Sequence, residues 1–440
     1  MHPKEKILPI FKKGLLFHGW WIAFTALAVN SILSAPTYGG TGLWIDSLEN
    51  HFGWTRTQLS IAFSLGQLEG SIVSPFVGYL IDRYGGKKIS ICGVIIASFG
   101  FICLSQTINL TSDTTSWIDP LIFYVSYMII MLGVSLGGWI PMTVILNNWF
   151  TKNKSLAMSM GSVGFAVGTF IFVPIIAAII TPDRLGWRLT AIIVSIFFCI
   201  LIVPIWKIVK NTPKEFGLVP DGEENTTEHE GIGSSSTNSP TDFSLGEALK
   251  EKVFWYVAIG QGASAMMTTT MMVHLILAFK DQGISLQSAA VIWGIAMGIG
   301  GVAQVIGGIV GDRTPKRFAA CGFGCLQAIG VALAVIVDSY SMALVFAVIY
   351  GVGYGGRAPV TTSMRGEYFG RKSFGKIMGI SAVPLMIMTM IAPVFAGRSF
   401  DSTGDYTTSF LWIALFGFIG SLIFLIAKKP LHPSLKHTLK

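Results

Sequence analysis

Gly78-Tyr79-Leu80-Ile81-Asp82-Arg83-Tyr84-Gly85-Gly86-Lys87-Lys88 is matched later in the chain by Gly307-Gly308-Ile309-Val310-Gly311-Asp312-Arg313-Thr314-Pro315-Lys316-Arg317. Each segment ends an apolar run with an Asp-Arg pair, a turn and two further cations. The copies do not stop there. Gly137-Gly138-Trp139-Ile140-Pro141 matches Gly355-Gly356-Arg357-Ala358-Pro359, Trp149-Phe150 matches Tyr368-Phe369, and Ser155 to Gly161 matches Ser373 to Gly379. Ordered matches at a nearly constant offset are the mark of internal duplication. An Asp at a helix end can pair with neighbouring cations or face the positive N-terminus of a helix in the other copy, and glycine permits the tight turn. Such a clasp holds one conformation and must open for another. Asp82, Arg83, Asp312 and Arg313 are therefore candidates for a conformational gate. The plainer alternative is a cationic topology loop.

Outward from these loops the chain is a series of apolar runs of about 20 residues, each enough to cross roughly 30 Å of hydrocarbon as a helix. They lie near 18–44, 57–81, 88–108, 120–147, 155–181, 187–206, 253–279, 286–311, 318–337, 340–364, 375–397 and 407–427. Only 12% of the 440 residues are charged and 52% are hydrophobic. An average soluble domain is about 25% charged, so a water-soluble enzyme is excluded on composition. The predicted fold is an all-α membrane protein: 12 transmembrane helices in two pseudo-symmetric six-helix bundles.

The net charge of +8 reads as cationic cytoplasmic loops rather than nucleic-acid binding. With the N-terminus inside, twenty-five of the 31 Lys and Arg fall in cytoplasmic segments and five (Arg56, Arg184, Arg188, Lys280, Arg398) outside. The remaining one, Arg357, lies within a span. Both termini are thus predicted cytoplasmic. Basic residues 1–17 form a tail rather than a signal peptide, since the first apolar run is a full span. Bundles over 18–207 and 251–428 flank a polar linker over 208–250, rich in acids, Ser, Gly and Pro, and 429–440 is a second tail. The five cysteines lie in apolar stretches without metal-ligand spacing and read as small packing residues; no metal site is predicted.

The loop pattern Gly78 to Lys88 resembles the G-x-L-x-D-R-x-G-x-K/R signature of the major facilitator superfamily, and the second copy matches it more loosely, with Gly311 and Pro315 at altered positions. The resemblance covers nearly the whole chain outside the linker and tails. It implies two bundles around a central cavity lined by the first, fourth, seventh and tenth helices, with transport by rocking of one bundle against the other. His18-Gly19-Trp20-Trp21, Phe52-Gly53-Trp54-Thr55-Arg56 and Trp149-Phe150 with Ser155-Leu156-Ala157 and Gly161 resemble the monocarboxylate porters and oxalate/formate antiporters. Those families carry a key arginine in the eighth helix, and the antiporters a lysine in the eleventh. Residues 286–311 and 377–397 contain no cation here.

An ionisable group in hydrocarbon costs at least a few kcal/mol, which makes each one a functional candidate. Arg357, in the tenth span, can grip a carboxylate through two parallel hydrogen bonds. Its alternatives are a structural arginine paired with an acid or helix-end carbonyls, or one that snorkels. Trp139 is its counterpart in the first half, and Tyr354 can add a hydroxyl. Glu69, central in the second span, reads as a proton carrier, as the countercharge of Arg357, or as a hydrogen-bonded structural glutamate. His274 in the seventh span is a candidate proton relay, against the plainer reading of a simply hydrogen-bonded histidine. Asn30, Tyr38, Gln261 and Thr268-Thr269-Thr270 are candidate cavity groups, and the methionine-rich stretches read as adaptable packing.

The expectation is a secondary active transporter of a small organic solute, a carboxylate or other organic anion, with proton coupling. No cofactor is expected; the partners are the solute, H+ and the lipid bilayer, without nucleic acid, and the protein is expected to be a monomer in the cell membrane. No G-x-x-x-x-G-K-[ST] segment is present for ATP-driven pumping. The alternative within the same fold is efflux of drugs or neutral metabolites. A membrane-embedded enzyme would need a nucleophile, metal-ligand cluster or acid pair that the sequence lacks, and a non-transporting sensor would need more than this linker and these tails.

Overall fold

The structure is a computed structural model that describes residues 17–110, 116–151, 153–220, 243–369 and 374–430. Most of the linker, the N-terminal tail and the end of the C-terminal tail lie outside the described residues. The first half is built from α1 (His18–Ser34), α2 (Thr41–Phe52), α3 (Arg56–Tyr84), α4 (Gly86–Ser105), α5 (Leu121–Gly137), α6 (Trp139–Trp149), α7 (Lys154–Ile179) and α8 (Gly186–Ile208). A short α9 (Leu245–Lys250) precedes the second half: α10 (Lys252–Asp281), α11 (Leu286–Arg313), α12 (Lys316–Leu333), α13 (Tyr340–Phe369), α14 (Phe374–Thr403) and α15 (Thr407–Ile426).

The duplication read from sequence reappears in the packing. In the first half α1 packs on α7, α3 on α5, α4 on α5 and α4 on α8. In the second half α10 packs on α14, α11 on α13, α12 on α13 and α12 on α15. Two further pairs, α7 with α11 and α3 with α14, join the halves. These two pairs are equivalent under the internal repeat, so one pseudo-twofold relates both bundles and their shared interface. Lipid supplies no hydrophobic drive between helices, so close approach through small residues holds them. A Cβ on Gly307 of α11 would lie 2.1 Å from the Gly356 carbonyl oxygen of α13.

Nine helical stretches among the described residues are long and apolar enough to cross a bilayer by length and composition, against the twelve expected. The three other expected spans are helical but more polar or broken. Helix α3 carries Gln67, Glu69, Ser71 and Ser74 at its centre, and α12 begins with Lys316 and Arg317. The first span is interrupted. Pro36 has no N–H to give the preceding turn, and Ala35–Gly39 winds as a π-helical turn before α2 resumes. Trp44 Nε1 donates to the Pro36 carbonyl at 2.8 Å and bridges the break. Turns of this kind recur at functional sites, and this one carries Tyr38.

Two faces can be told apart. The linker leaves α8 on a face where His18 Nε2 meets the Ile208 carbonyl (3.0 Å), Trp149 Nε1 donates to the Lys210 carbonyl (2.8 Å) and the Lys87 amide donates to Asn211 (2.9 Å). On the second half's side of it, the Phe243 amide donates to the Phe369 carbonyl at 3.1 Å. This is the linker face. The α2–α3 turn, the end of α10 and the α14–α15 turn meet on the opposite, far face.

Candidate functional site

The far face is closed by a cluster centred on Arg56, the first residue of α3 and only 4% exposed. Its Nε donates to both Glu49 oxygens (3.1 and 3.0 Å), within its own half. Its Nη2 donates to Asp281 Oδ1 of the other half at 3.1 Å, and its Nη1 to Asp281 Oδ2 and to the Tyr406 hydroxyl (3.0 Å). The guanidinium carbon stands 3.6 Å above the Phe400 ring. The start of α3 is also capped from across the interface. The amides of Arg56 and Thr57 donate to the Asp401 carboxylate of α14 at 3.1 and 2.9 Å, as does the Thr57 hydroxyl. A carboxylate on a helix N-terminus satisfies orphan N–H groups and opposes the positive dipole end. Lys280 Nζ pairs with Asp46 Oδ1 at 2.5 Å, adding a second inter-half ion pair. The neighbouring backbones nearly touch: a Cβ on Gly397 would lie 2.9 Å from the Arg56 carbonyl oxygen.

His274 belongs to this closure. It is fully buried, with Nδ1 2.9 Å from the Tyr406 hydroxyl and Nε2 2.8 Å from the Pro393 carbonyl and 3.2 Å from Ser60 Oγ. A carbonyl only accepts, so Nε2 carries the hydrogen and Nδ1 accepts from Tyr406, whose oxygen accepts from Arg56. Both ring nitrogens are thereby occupied in a chain running from α3 through α15 to α10 and α14.

A cavity of about 430 Å³ lies within the first half, between α1, α3, α5, α6 and α7. Asn30, Tyr38 and Trp139 line it together with Gln67, Ser71 and Phe165, and none of its lining residues is charged. Gly138 breaks the helix between α5 and α6, leaving Trp139 46% exposed at the wall. Asn30 is held by donation to the Gly161 carbonyl at 3.1 Å. Glu69 lies within electrostatic reach of Tyr38, and its Oε2 is buried without a hydrogen-bond partner.

Arg357 and Tyr354 lie in the other half, on α13. Arg357 is 5% exposed, and its Nε and Nη1 have no hydrogen-bond partner. The two tyrosines Tyr350 and Tyr354 stack in parallel within electrostatic reach of it. Of the two electrostatic readings for Glu69, the countercharge to Arg357 is not realised: among the described residues no ion pair joins them, and each keeps a buried unpartnered polar atom. Arg365 departs from its expected place as well. Helix α13 runs on past 364 to Phe369, and Arg365 is buried within it at 3% exposure. Its Nη2 donates to Gln261 Oε1, so Gln261 holds a protein cation here, and its Nη1 lies 3.0 Å from Met378 Sδ.

The four linker-face candidates lie at the ends of α3 and α11. Asp82, Arg83, Asp312 and Arg313 are exposed, and among the described residues none of them is in an ion pair. Arg83 donates to the Tyr79 hydroxyl of its own helix at 3.2 Å. The ion pairs that do join the halves lie on the far face. The sequence offered one signal for them, Arg56 just behind a Thr55/Gln58 capping box; its partners lie too far along the chain to be read from spacing.

Comparison with known proteins agrees with this architecture. The major facilitator superfamily profile matches residues 19–356 and 301–439. The human monocarboxylate transporter 11 is 24% identical over 433 residues, covering 92% of this chain and 82% of the relative. The oxalate:formate antiporter of Oxalobacter formigenes is 21% identical over 246 residues, covering 55% and 51%. Among solved structures, a bacterial homologue of the human lysosomal transporter Spinster, inward-facing and unoccupied, superposes with a TM-score of 0.73 at 15% identity over 94% of this chain and 98% of that one. With a repeated pair of bundles, an interface related by the same pseudo-twofold and a profile match along its length, the chain belongs to the major facilitator superfamily of membrane transporters.

Proposed function

We propose that the protein is a secondary active transporter of a small organic anion, a carboxylate by preference, working by alternating access across the cell membrane. In this reading there are twelve spans, 18–207 and 251–428 are the moving bundles, and the linker face with both termini is cytoplasmic. The arrangement is then inward-facing, with the Arg56 cluster as the closed outer gate. Asp82, Arg83, Asp312 and Arg313 are the parted inner clasp that forms when the outer gate opens.

The observation that carries the anion reading is Arg357: a buried guanidinium with free donors and, among the described residues, no carboxylate partner. A charge taken from water costs several kcal/mol unless paired, and a bidentate oxyanion supplies both the charge and the two acceptors. Tyr354, Gln261, Asn30, Tyr38 and Trp139 are assigned to the solute's surroundings. Glu69, half-buried with its buried Oε2 unpartnered near Tyr38, is assigned to proton coupling. His274, with both nitrogens engaged across the interface, is assigned to the gate rather than to a proton relay. The names of the relatives, monocarboxylate transporters and an oxalate:formate antiporter, point the same way.

Efflux of a neutral or drug-like solute is the second reading, favoured by the uncharged, partly aromatic lining of the 430 Å³ cavity. Uptake of a panel of labelled carboxylates and neutral solutes into proteoliposomes, with and without a pH gradient, decides between them. The anion reading expects carboxylate uptake that Arg357→Gln abolishes. Uptake confined to neutral solutes, or carboxylate uptake indifferent to Arg357→Gln, overturns it.

A further inference from the structure

Arg357 does not stand alone on α13. Arg357, Thr361 and Arg365 follow one another at four-residue spacing, along one ridge of the helix. All three are buried. Thr361 donates its hydroxyl hydrogen back to the Arg357 carbonyl at 3.3 Å and, being neutral, supplies no countercharge. Arg365 has its Nε without a partner, as Arg357 has its Nε and Nη1. The groups that do hold Arg365, the Gln261 carbonyl oxygen and the Met378 sulfur, are neutral. Glu367, the nearest acid along the helix, is exposed and pairs with Lys316 at 2.8 Å.

Two positive charges thus lie within electrostatic reach of each other, out of water and without a countercharge from the described residues. A monoanion on Arg357 would neutralise only one of them. Neither is sealed away: Tyr354 beside Arg357, and Gln261 and Met378 beside Arg365, are only partly buried. Eight residues of α-helix separate the two Cα atoms by about 12 Å along the axis. Bidentate contacts at both ends leave room between the guanidinium groups for a short carbon chain of about four or five atoms.

We propose that Arg365, positioned by Gln261, is a second anion subsite, and that the transported solute is a dicarboxylate bridging Arg357 and Arg365. This rests on the reading of Arg357 as the anion-holding group and narrows the solute class within it. Helix α13 continues past its apolar run and so carries the second cation toward the solute.

The test compares uptake of labelled succinate with that of labelled propionate by the full-length protein in proteoliposomes. Arg365→Gln is expected to raise the KM for succinate at least about 30-fold and to change propionate uptake less than about threefold. Gln261→Glu, which gives Arg365 a carboxylate partner within the protein, is expected to produce the same selective loss while keeping the packing. Arg365→Lys, which keeps the charge but not the fork, is expected to fall between. Arg357→Gln abolishes uptake of both. If Arg365→Gln and Gln261→Glu leave succinate uptake unchanged, or depress succinate and propionate equally, the second subsite is wrong while the anion reading stands. If the wild-type protein takes up neither acid, the anion reading fails and the subsite with it.

Discussion

Arg56 on α3 grips Asp281 at the end of α10 with two of its guanidinium nitrogens, while its third holds Glu49 of its own half. One side chain at the head of one helix therefore ties the two bundles together. Arg56 keeps Glu49 when Asp281 is lost, and the Asp281 side chain is 32% exposed, so breaking the pair costs about 1–3 kcal/mol, the worth of charged hydrogen bonds. That is enough to shift an equilibrium between two transporter states separated by a few kcal/mol.

Arg56→Gln and Asp281→Asn are each expected to reduce net uptake at least about tenfold. The charge exchange Arg56→Asp with Asp281→Arg is expected to recover part of it. Uptake assays on the two single variants and the double variant give the coupling, and additive losses without recovery would show that the pair does not govern transport.

The buried, unpartnered guanidinium of Arg357 carries a stability consequence. Without solute it is a cost to the fold, so Arg357→Gln is expected to leave the melting temperature of the ligand-free protein unchanged or higher. Carboxylate affinity is expected to fall about 100-fold, the loss of about 3 kcal/mol from charge-assisted hydrogen bonds. Thermal melts with and without the carboxylate separate the two effects. A destabilised variant with near-normal affinity would assign Arg357 to structure.

Glu69 keeps a buried carboxylate oxygen without a donor. A group that must bind and release a proton in each cycle is needed for coupling but not for exchange. Glu69→Gln is accordingly expected to preserve solute counterflow and to stop accumulation driven by a pH gradient. Unimpaired accumulation would remove Glu69 from the coupling step.

The helix crossing behind Arg357 gives a packing prediction with its own control. Any side chain on Gly307 meets the Gly356 backbone, whereas a Cβ on Gly308 meets nothing within 4 Å. Gly307→Ala is expected to destabilise the protein by about 1–3 kcal/mol through overpacking, and Gly308→Ala to be neutral or slightly stabilising. Paired thermal or denaturant melts distinguish them.

The architecture was legible because bilayer-length runs and a repeated loop are local patterns. Asp82-Arg83 and Asp312-Arg313 mark the repeat whatever their partners are. Helix count by hydropathy alone fails where function intrudes: α3 carries its polar residues because Gln67 and Ser71 line the cavity and Glu69 lies close by. The charged closure was not legible as a site. Arg56, Asp281 and Asp401 are brought together only by the packing of α3 against α10 and α14, so their charges read as ordinary loop charges. The sequence places Arg365 in a loop because the apolar run stops at 364. The helix continues to Phe369, and Gln261 and Met378, on neighbouring helices, receive its guanidinium. Tyr38 was read as a cavity group without the π-helical turn that presents it, although Pro36 announces a break.

The central claim, that the two faces open alternately, is tested most directly by electron paramagnetic resonance distances across each face. Spin labels at exposed Asn50 and Ser402 report the far face, and labels at exposed Tyr84 and Thr314 report the linker face. In the wild-type protein the far-face distance is predicted to be short and narrowly distributed. In Arg56→Gln that distance lengthens while the linker-face distance shortens in the same population. A far face that loosens while the linker face keeps its distance would contradict the account.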